Sequence, residues 1–171
     1  MTSSRSVRVI LALILGGILP GTGTLSLAQE PSPAPDVLKV GDILPAFDAE
    51  GLDGVPKRVD YPKGSTSVLL FFLSGCPHCH RMIPLWNSAF ERKPGGIQVI
   101  GVLLDKEPPG FFMATPVSFP VLRAPRGDFS KQLKIRQVPM SVRVVAGGRV
   151  EDLAFGQVDP IRLGELFRPR P

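Results

Sequence analysis

Cysteine and histidine are scarce in this sequence: it has two of each among 171 residues, and all four lie within residues 76–80. The four are Cys76, His78, Cys79 and His80. One turn of helix cannot direct all of them at one tetrahedral centre, and no distant histidine completes a site, so we predict no bound metal. A bridge between Cys76 and Cys79 would close too short a loop to restrict the unfolded chain much, which disfavours a purely structural disulfide.

The sequence also lacks a long block of charge of one sign. Its formal net charge is +5, and its basic residues are scattered without interleaved aromatic residues. This pattern is typical of a soluble surface, and we predict no nucleic-acid partner.

Residues 1–28 have the pattern of a secretory signal. Arg5 and Arg8 precede an apolar run at residues 9–19, and the small-residue site Ser26-Leu27-Ala28 follows. Two outcomes fit: cleavage after Ala28, or retention as a membrane anchor, although the run is only about half of the ~20 residues that span a bilayer. Export, to the periplasm or beyond, implies an oxidising compartment. The proline-rich residues 29–37 predict an extended linker, which leaves residues 38–168 as one folded domain.

Two continuous apolar runs, residues 65–75 and 97–105, predict strands that are buried on both faces. Between them, Met82, Leu85 and Trp86 recur at helical spacing. Strand, helix and strand form a βαβ unit with parallel pairing. We therefore predict an α/β fold with a mixed central sheet flanked by helices.

The flanking segments predict shorter elements. Residues 40–64 indicate one or two short strands packed over the edge of the sheet. Residues 117–125 predict a short strand at an edge of the sheet, because Pro120 has no N–H to donate to a neighbouring strand. Residues 127–137 predict a short helix. Residues 140–156 predict a hairpin that turns at Gly147-Gly148. Asp159 and Pro160 predict the start of a closing helix.

The segment Cys76-Pro77-His78-Cys79 lies where the first strand passes into the helix. We expect Cys76 near the first helical turn, where free backbone N–H groups stabilise a thiolate, and Cys79 one turn along and more buried. Pro77 suits the first turn because its missing N–H is not needed there. His78 would favour the thiolate further and so make the disulfide more oxidising.

The same segment also satisfies C-x-x-C-H, the pattern that attaches c-type haem, with His80 as the axial ligand. The buried strand before the motif opposes this interpretation, since small haem c domains are mostly helical. Pro84 would also distort the helix that carries the ligand.

Several segments together resemble the thioredoxin superfamily, and more narrowly the TlpA-like redoxins of the periplasm. They are VGDILPAFDAEGLDG, CPHCHRMIP and RQVPMSVRVVAGGRV, and the likeness covers about residues 38–168. The resemblance implies a thioredoxin-like fold with a redoxin-type N-terminal extension and a central insertion at residues 101–122. It also implies a thiol-disulfide oxidoreductase that uses Cys76 and Cys79, with a cis Pro139. The backbone of Val138 and Pro139 would then hold a substrate segment.

The resemblance implies no cofactor beyond the redox-active disulfide. Its implied partners are protein thiols and disulfides, with apocytochrome c among them, and a membrane electron-transfer partner. A thioredoxin-like binding module without catalysis and a cytochrome c maturation helper remain alternatives. The redoxin architecture suggests a reductant, whereas the Pro77-His78 pair suggests an oxidant, so the direction stays open.

Two positions depart from the redoxin pattern, and a third departure is that Pro77-His78 and Val138 resemble the oxidising DsbA-like proteins. Gly75 replaces the usual Trp before the first cysteine, which opens the site. Leu70 replaces a buried acid, so Cys79 must lose its proton to water or to a group such as Glu50 or Asp105. Leu73 stands where a peroxiredoxin needs Thr or Ser, which disfavours a peroxidase.

Overall fold

The computed structural model describes residues 36–125 and 127–170. The strands are β1 Phe47–Gly51, β2 Pro56–Val59, β3 Thr66–Phe72, β4 Ile97–Leu103, β5 Val121–Arg123, β6 Met140–Val145 and β7 Arg149–Phe155. The helices are α1 Pro77–Glu91, α2 Phe111–Ala114, α3 Phe129–Gln132 and α4 Pro160–Leu166. The predicted signal at residues 1–28 and most of the predicted linker lie outside the described residues.

The central βαβ unit is confirmed. Strands β3 and β4 pair in parallel from Thr66 opposite Ile97 to Phe72 opposite Leu103, and α1 connects them. Every β3 residue after Thr66 is buried, as expected for a strand covered on both faces. The carboxyl ends of the two strands therefore lie together at one edge of the sheet, where α1 begins.

Within residues 36–125 and 127–170, the sheet has seven strands in the order β2-β1-β5-β4-β3-β6-β7 and is mixed, which confirms the predicted architecture. Strand β6 runs antiparallel to β3 and forms the predicted hairpin with β7. Gly147 and Gly148 have φ of 73° and 83° at the turn. A Cβ on Gly148 would lie 2.2 Å from the Leu44 carbonyl oxygen, so this turn requires glycine on both counts.

The prediction of an edge strand around Pro120 is wrong. Strand β5 lies inside the sheet, between β1 and β4. Pro120 stands just before the strand, and its carbonyl accepts a hydrogen bond from the Gly101 N–H at 2.8 Å, so the missing proline N–H leaves no gap in the ladder. The predicted N-terminal strands are β1 and β2: β1 covers the outer side of β5, and β2 pairs with the other side of β1.

Two hydrophobic layers enclose the sheet. On one face α1 and α4 pack over β3 and β4, and on the other α3 packs over β1 and β6. Trp86 is fully buried in the first layer, and its Nε1 donates to the Ser141 Oγ at 3.0 Å. Asp159 caps α4 as predicted, accepting from the N–H groups of Ile161 and Arg162. None of the helices in the described ranges has the length and apolar character to cross a membrane.

Candidate functional site

Helix α1 begins immediately after Cys76, which confirms the expected position of the first cysteine. Cys76 is the N-cap residue, and Pro77 occupies the first helical position. The Cys76 Sγ accepts a hydrogen bond from the Cys79 backbone N–H at 3.3 Å, in place of the hydroxyl or carboxylate of an ordinary cap. A donor aimed at this sulfur, together with the positive end of the helix, favours negative charge there.

Cys79 lies one turn along α1 and is fully buried, whereas Cys76 is partly exposed, and both thiols are free. Burial, with a smaller contribution from the neighbouring Cys76, raises the pKa of Cys79 to about 12. The two sulfurs therefore differ in their access to solvent. A substrate can reach Cys76 first, while Cys79 faces the core.

The Val138–Pro139 peptide bond is cis, which confirms the expectation for Pro139. Met140 pairs with Phe71 in the antiparallel β3·β6 ladder. Val138 and Pro139 directly precede Met140 and so lie near the carboxyl end of β3, from which the chain leads to Cys76. Val138 and Cys76 also pack against the same core layer. The fold thus brings together the two segments that the sequence assigned to chemistry and to substrate binding.

His78 is exposed, and its ring contacts groups other than Cys76. Its Nδ1 lies 3.0 Å from the Gln157 Oε1 and 3.0 Å from the Arg81 Nη2. Arginine can only donate, so that contact needs an unprotonated Nδ1, whereas the Gln157 oxygen accepts from a protonated one. Among the described residues, no hydrogen bond joins His78 to the Cys76 sulfur.

His80, the other histidine of the motif, contacts the loop before Cys76. Its Nε2 donates to the Ser74 carbonyl oxygen at 2.6 Å, and its ring lies 5.7 Å from that of Phe111, centroid to centroid. The Ser74 N–H and Oγ in turn donate to the Asp105 carboxylate. Sequence reasoning missed Ser74. Its position two residues beyond β3, level with Asp105 two residues beyond β4, is the signal that could have found it.

Glu50, the other acid considered for Cys79, lies in β1. Its Oε1 is 3.7 Å from the Arg123 Nη1, and Arg123 also forms a closer pair with Glu107. Glu50 and Asp105 both line a cavity of about 670 Å³ at the ends of β4 and β5. Asp105 adds to the burial that raises the pKa of Cys79.

A half-buried capping cysteine and a buried partner cysteine, beside a cis-proline loop on this sheet, are features of thioredoxin-like thiol-disulfide oxidoreductases. Comparison with known proteins narrows the class. Residues 40–151 match the AhpC/TSA family, and the chain belongs to that family.

Individual relatives agree. The chain is 24% identical over 172 residues to sporulation thiol-disulfide oxidoreductase A of Bacillus subtilis, a match that covers 95% of this chain and 96% of that protein. A Chlorobium tepidum protein assigned as thiol:disulfide interchange protein DsbE superposes with a TM-score of 0.62 at 26% identity, over 75% of this chain and 95% of that one. A secreted Mycobacterium tuberculosis disulfide oxidoreductase has the same fold, with a TM-score of 0.60 at 19% identity over 71% and 93%. This chain is thus a redoxin-type thiol-disulfide oxidoreductase with a C-x-x-C pair, Cys76 and Cys79.

Proposed function

We propose that this protein is an exported enzyme that exchanges its Cys76–Cys79 dithiol or disulfide with protein substrates. The observation that carries the proposal is the asymmetry of the two sulfurs. Cys76 is partly exposed at the N-cap of α1, and Cys79 is fully buried one turn along. This arrangement separates a sulfur that meets the substrate from a sulfur that completes the reaction.

In the reducing direction, the Cys76 thiolate attacks a substrate disulfide. A bond forms between Cys76 and one substrate sulfur, and the other substrate sulfur leaves as a thiolate that takes a proton from solvent. Cys79 then loses its proton and attacks the Cys76 sulfur. The mixed disulfide breaks, the substrate leaves as a dithiol, and the protein keeps the two-electron oxidation as its own disulfide. Oxidation of a substrate dithiol runs the same steps in reverse.

Substrate binding falls to the loop beside Cys76. Val138 and Pro139 directly precede β6, near the carboxyl end of β3. Pro139 has no N–H and its carbonyl accepts from the Gly156 N–H at 2.8 Å, so Val138 would supply the backbone that pairs with a substrate. Gly75 is exposed, and no neighbouring atom lies within 4 Å of where its Cβ would be, so the approach to Cys76 is open. An extended segment of a substrate protein would pair with this backbone and bring its disulfide to Cys76.

Pro77 and His78 would tune the pair. Pro77 starts the helix directly after Cys76. His78 contacts Arg81 and Gln157, so within the described residues any effect it has on the Cys76 thiolate would be exerted without a direct hydrogen bond. One further donor at the thiolate would move the reduction potential by a few tens of millivolts, since about 30 mV corresponds to ~1.4 kcal/mol.

The setting of the enzyme would follow from residues 1–28, which the sequence predicts to be a secretory signal. We propose that residues 1–28 direct export to the periplasm, that residues 29–37 form a tether, and that residues 38–168 form the redox domain. In an oxidising compartment the pair needs a membrane partner to restore its redox state. Protein dithiols and disulfides, including those of apocytochrome c, have the chemistry of its substrates.

The test measures exchange with a peptide that carries one cysteine pair, supplied either as the disulfide or as the dithiol. The wild-type protein should exchange with both forms, and Cys76→Ser with neither. Equilibrium against glutathione then gives the direction: about −120 to −180 mV indicates an oxidant or isomerase, and about −270 mV a reductant. Unimpaired exchange by Cys76→Ser would contradict the proposal, and so would peptide binding by the wild type without exchange.

A further inference from the structure

Helices α1 and α4 run in the same direction along one face of the sheet. Strands β3 and β7 are each antiparallel to β6 and so parallel to each other, and α1 and α4 each follow one of them. Both helices therefore begin at the edge of the sheet that carries Cys76 and end at the opposite edge. Because α1 extends from Cys76 to Arg92, the two ends lie about 24 Å apart along the helix axis, at 1.5 Å per residue.

A groove of about 490 Å³ lies between the C-terminal half of α1 and α4. Its floor is apolar, because the buried residues Ala89, Leu163 and Phe167 line it. The half-buried Leu85 lines it nearer the start of α1. Apolar surface that is open to solvent gains free energy when another apolar group covers it. The floor of the groove therefore suits apolar side chains of another molecule.

Small residues keep both walls of the groove apart. They are Ser88 and Ala89 on α1 and Gly164 on α4. A Cβ on Gly164 would have no neighbouring atom within 4 Å, and the φ of this residue lies outside the left-handed range, so packing within the described residues does not require glycine. Glycine inside a helix is unfavourable relative to alanine. Its missing side chain does, however, permit another helix to approach α4 closely.

Three cations and no carboxylate line the groove. Arg92, Lys93 and Arg168 lie just beyond the ends of the two helices. Within the described ranges none of the three forms a salt bridge. A helix end carries about half a unit of negative charge, so two ends offset about one of the three positive charges. The rim of the groove is therefore positive.

The acids nearest to these cations in the sequence contact other groups. Glu91 accepts a hydrogen bond from the Ser118 Oγ at 3.2 Å, and Glu165 pairs with Arg162 at 2.9 Å. Neither acid lines the groove. The rim therefore complements an occupant that brings its own carboxylates.

We propose that this groove docks a helical segment of another protein, in which apolar side chains are flanked by carboxylates. The apolar side chains lie between α1 and α4 beside Gly164, and the carboxylates pair with the cations at the helix ends. The apolar residues line a concave groove, which fits a helix better than it fits the flat surface of a membrane. Because the groove lies at the far end of α1 from Cys76, the partner stays bound while Cys76 exchanges with a substrate.

The test uses the purified protein and a fluorescent peptide of about 15 residues, which is long enough to form a helix. The peptide carries two leucines four positions apart, with glutamates beside them. Fluorescence anisotropy should show saturable binding, with a dissociation constant below about 1 mM. Peptides with lysine in place of glutamate, or serine in place of leucine, should each bind about tenfold more weakly or worse.

Gly164→Leu separates loss of the groove from loss of the fold. The new side chain fills the groove, so peptide binding should weaken by about tenfold or more. Leucine is also a better helix former than glycine, so the midpoint of urea unfolding should rise or stay the same. Thiol-disulfide exchange should keep its wild-type rate, because the groove is remote from Cys76.

A second variant tests the charged rim. Arg92→Gln combined with Arg168→Gln should weaken binding about three- to tenfold, since each exposed ion pair contributes a few-fold at most. The matched control combines Lys57→Gln with Arg149→Gln, which removes the same charge from exposed residues outside the groove. The control should bind the peptide within about twofold of wild type.

Unchanged peptide binding in Gly164→Leu, or no binding up to about 1 mM peptide, would overturn the inference while leaving the proposed function in place. Self-association of the wild type that Gly164→Leu abolishes, measured by sedimentation velocity, would assign the groove to a second copy instead. Co-sedimentation with phosphatidylglycerol vesicles that is lost in the double arginine variant but kept in Gly164→Leu would assign the rim to a membrane. Either result would overturn the docking of a protein helix.

Discussion

The two ends of the C-x-x-C segment differ more than their separation of three residues suggests. Cys76 is half-buried, caps a helix and accepts a backbone hydrogen bond. Cys79 is fully buried, and burial raises its pKa to about 12. One turn of helix therefore separates a sulfur at the protein surface from a sulfur in the core.

This difference shows how one short motif supplies two chemical roles. Helix geometry places the two cysteines one turn apart. Because one face of the helix is buried, Cys79 lies in the core while Cys76 stays partly exposed. Trp86, on the buried face, bonds to Ser141 in β6, whereas His78, on the exposed side, contacts Arg81 and Gln157. The predictions below test the contrast from its largest consequence to its smallest.

The largest effect is expected from replacing each cysteine in turn. Cys76→Ser removes the attacking sulfur and should lower exchange by about a thousandfold or more. Cys79→Ser leaves the attack intact but removes its completion, so mixed disulfides with substrate proteins should accumulate. Non-reducing gels of cell extracts measure this, with the double variant as the control. Equal accumulation of mixed disulfides in both single variants would contradict the different roles assigned to Cys76 and Cys79.

Because Cys79 is buried, the free energy of unfolding should depend on pH in the alkaline range. Because the pKa of Cys79 is raised from 9.0 to about 12 on folding, the stabilisation it contributes is complete below about pH 9 and is lost as the pH rises toward 12. The difference in free energy of unfolding between wild type and Cys79→Ala should therefore shrink over this range. Burial also raises the pKa of Tyr61, but that contribution is common to both proteins and cancels.

Urea titrations at about pH 8 and about pH 10 measure this difference, with a phosphine reductant keeping the thiols reduced. A difference that stays constant would mean that Cys79 titrates alike in the folded and unfolded chains.

Ser141→Ala tests the buried face without touching either cysteine. The change leaves the Trp86 Nε1–H, which now bonds to Ser141 at 3.0 Å, without a partner in the core. An unsatisfied buried donor costs about 1–3 kcal/mol, so urea denaturation should show a loss of that size with exchange nearly unchanged. Ser88→Ala, partly exposed on α1, is the control and should stay within about 0.5 kcal/mol. No loss in Ser141→Ala would mean that the indole finds another acceptor.

The smallest effect on stability and redox potential is expected from His78→Ala, because His78 is exposed at the start of α1. It removes the contacts with Arg81 and Gln157 but no core packing. We expect stability within about 0.5 kcal/mol of wild type and a reduction potential more negative by a few tens of millivolts at most. Equilibration with glutathione measures the shift, and Arg81→Gln serves as the comparison. A shift in the opposite direction would show that His78 does not favour the thiolate.

Much of this arrangement could be predicted because its signals are local. The apolar runs at β3 and β4, the helical spacing of Met82 and Trp86, and the cysteine spacing each lie within a short stretch. Because the same stretches form the βαβ unit, they also place Cys76 at the start of the helix. The prediction of a cis Pro139 came from resemblance and was confirmed.

What could not be predicted depends on pairing between distant segments. Strand β5 lies inside the sheet because β1, some seventy positions earlier, covers its free side. The Ser74–Asp105 contact likewise spans 31 positions and follows from the β3·β4 register. No local pattern reports such partners. The sequence directed attention to His78 as the residue that tunes Cys76, but among the described residues it is His80 that bonds to the loop before Cys76.

The most direct test of the central claim is to identify the thiol that reacts first. The reduced wild-type protein is treated at neutral pH with less than one equivalent of iodoacetamide, and the modified peptide is mapped by mass spectrometry. The account predicts label on Cys76, with Cys79 modified only after unfolding. Label on Cys79 in the folded protein would contradict it.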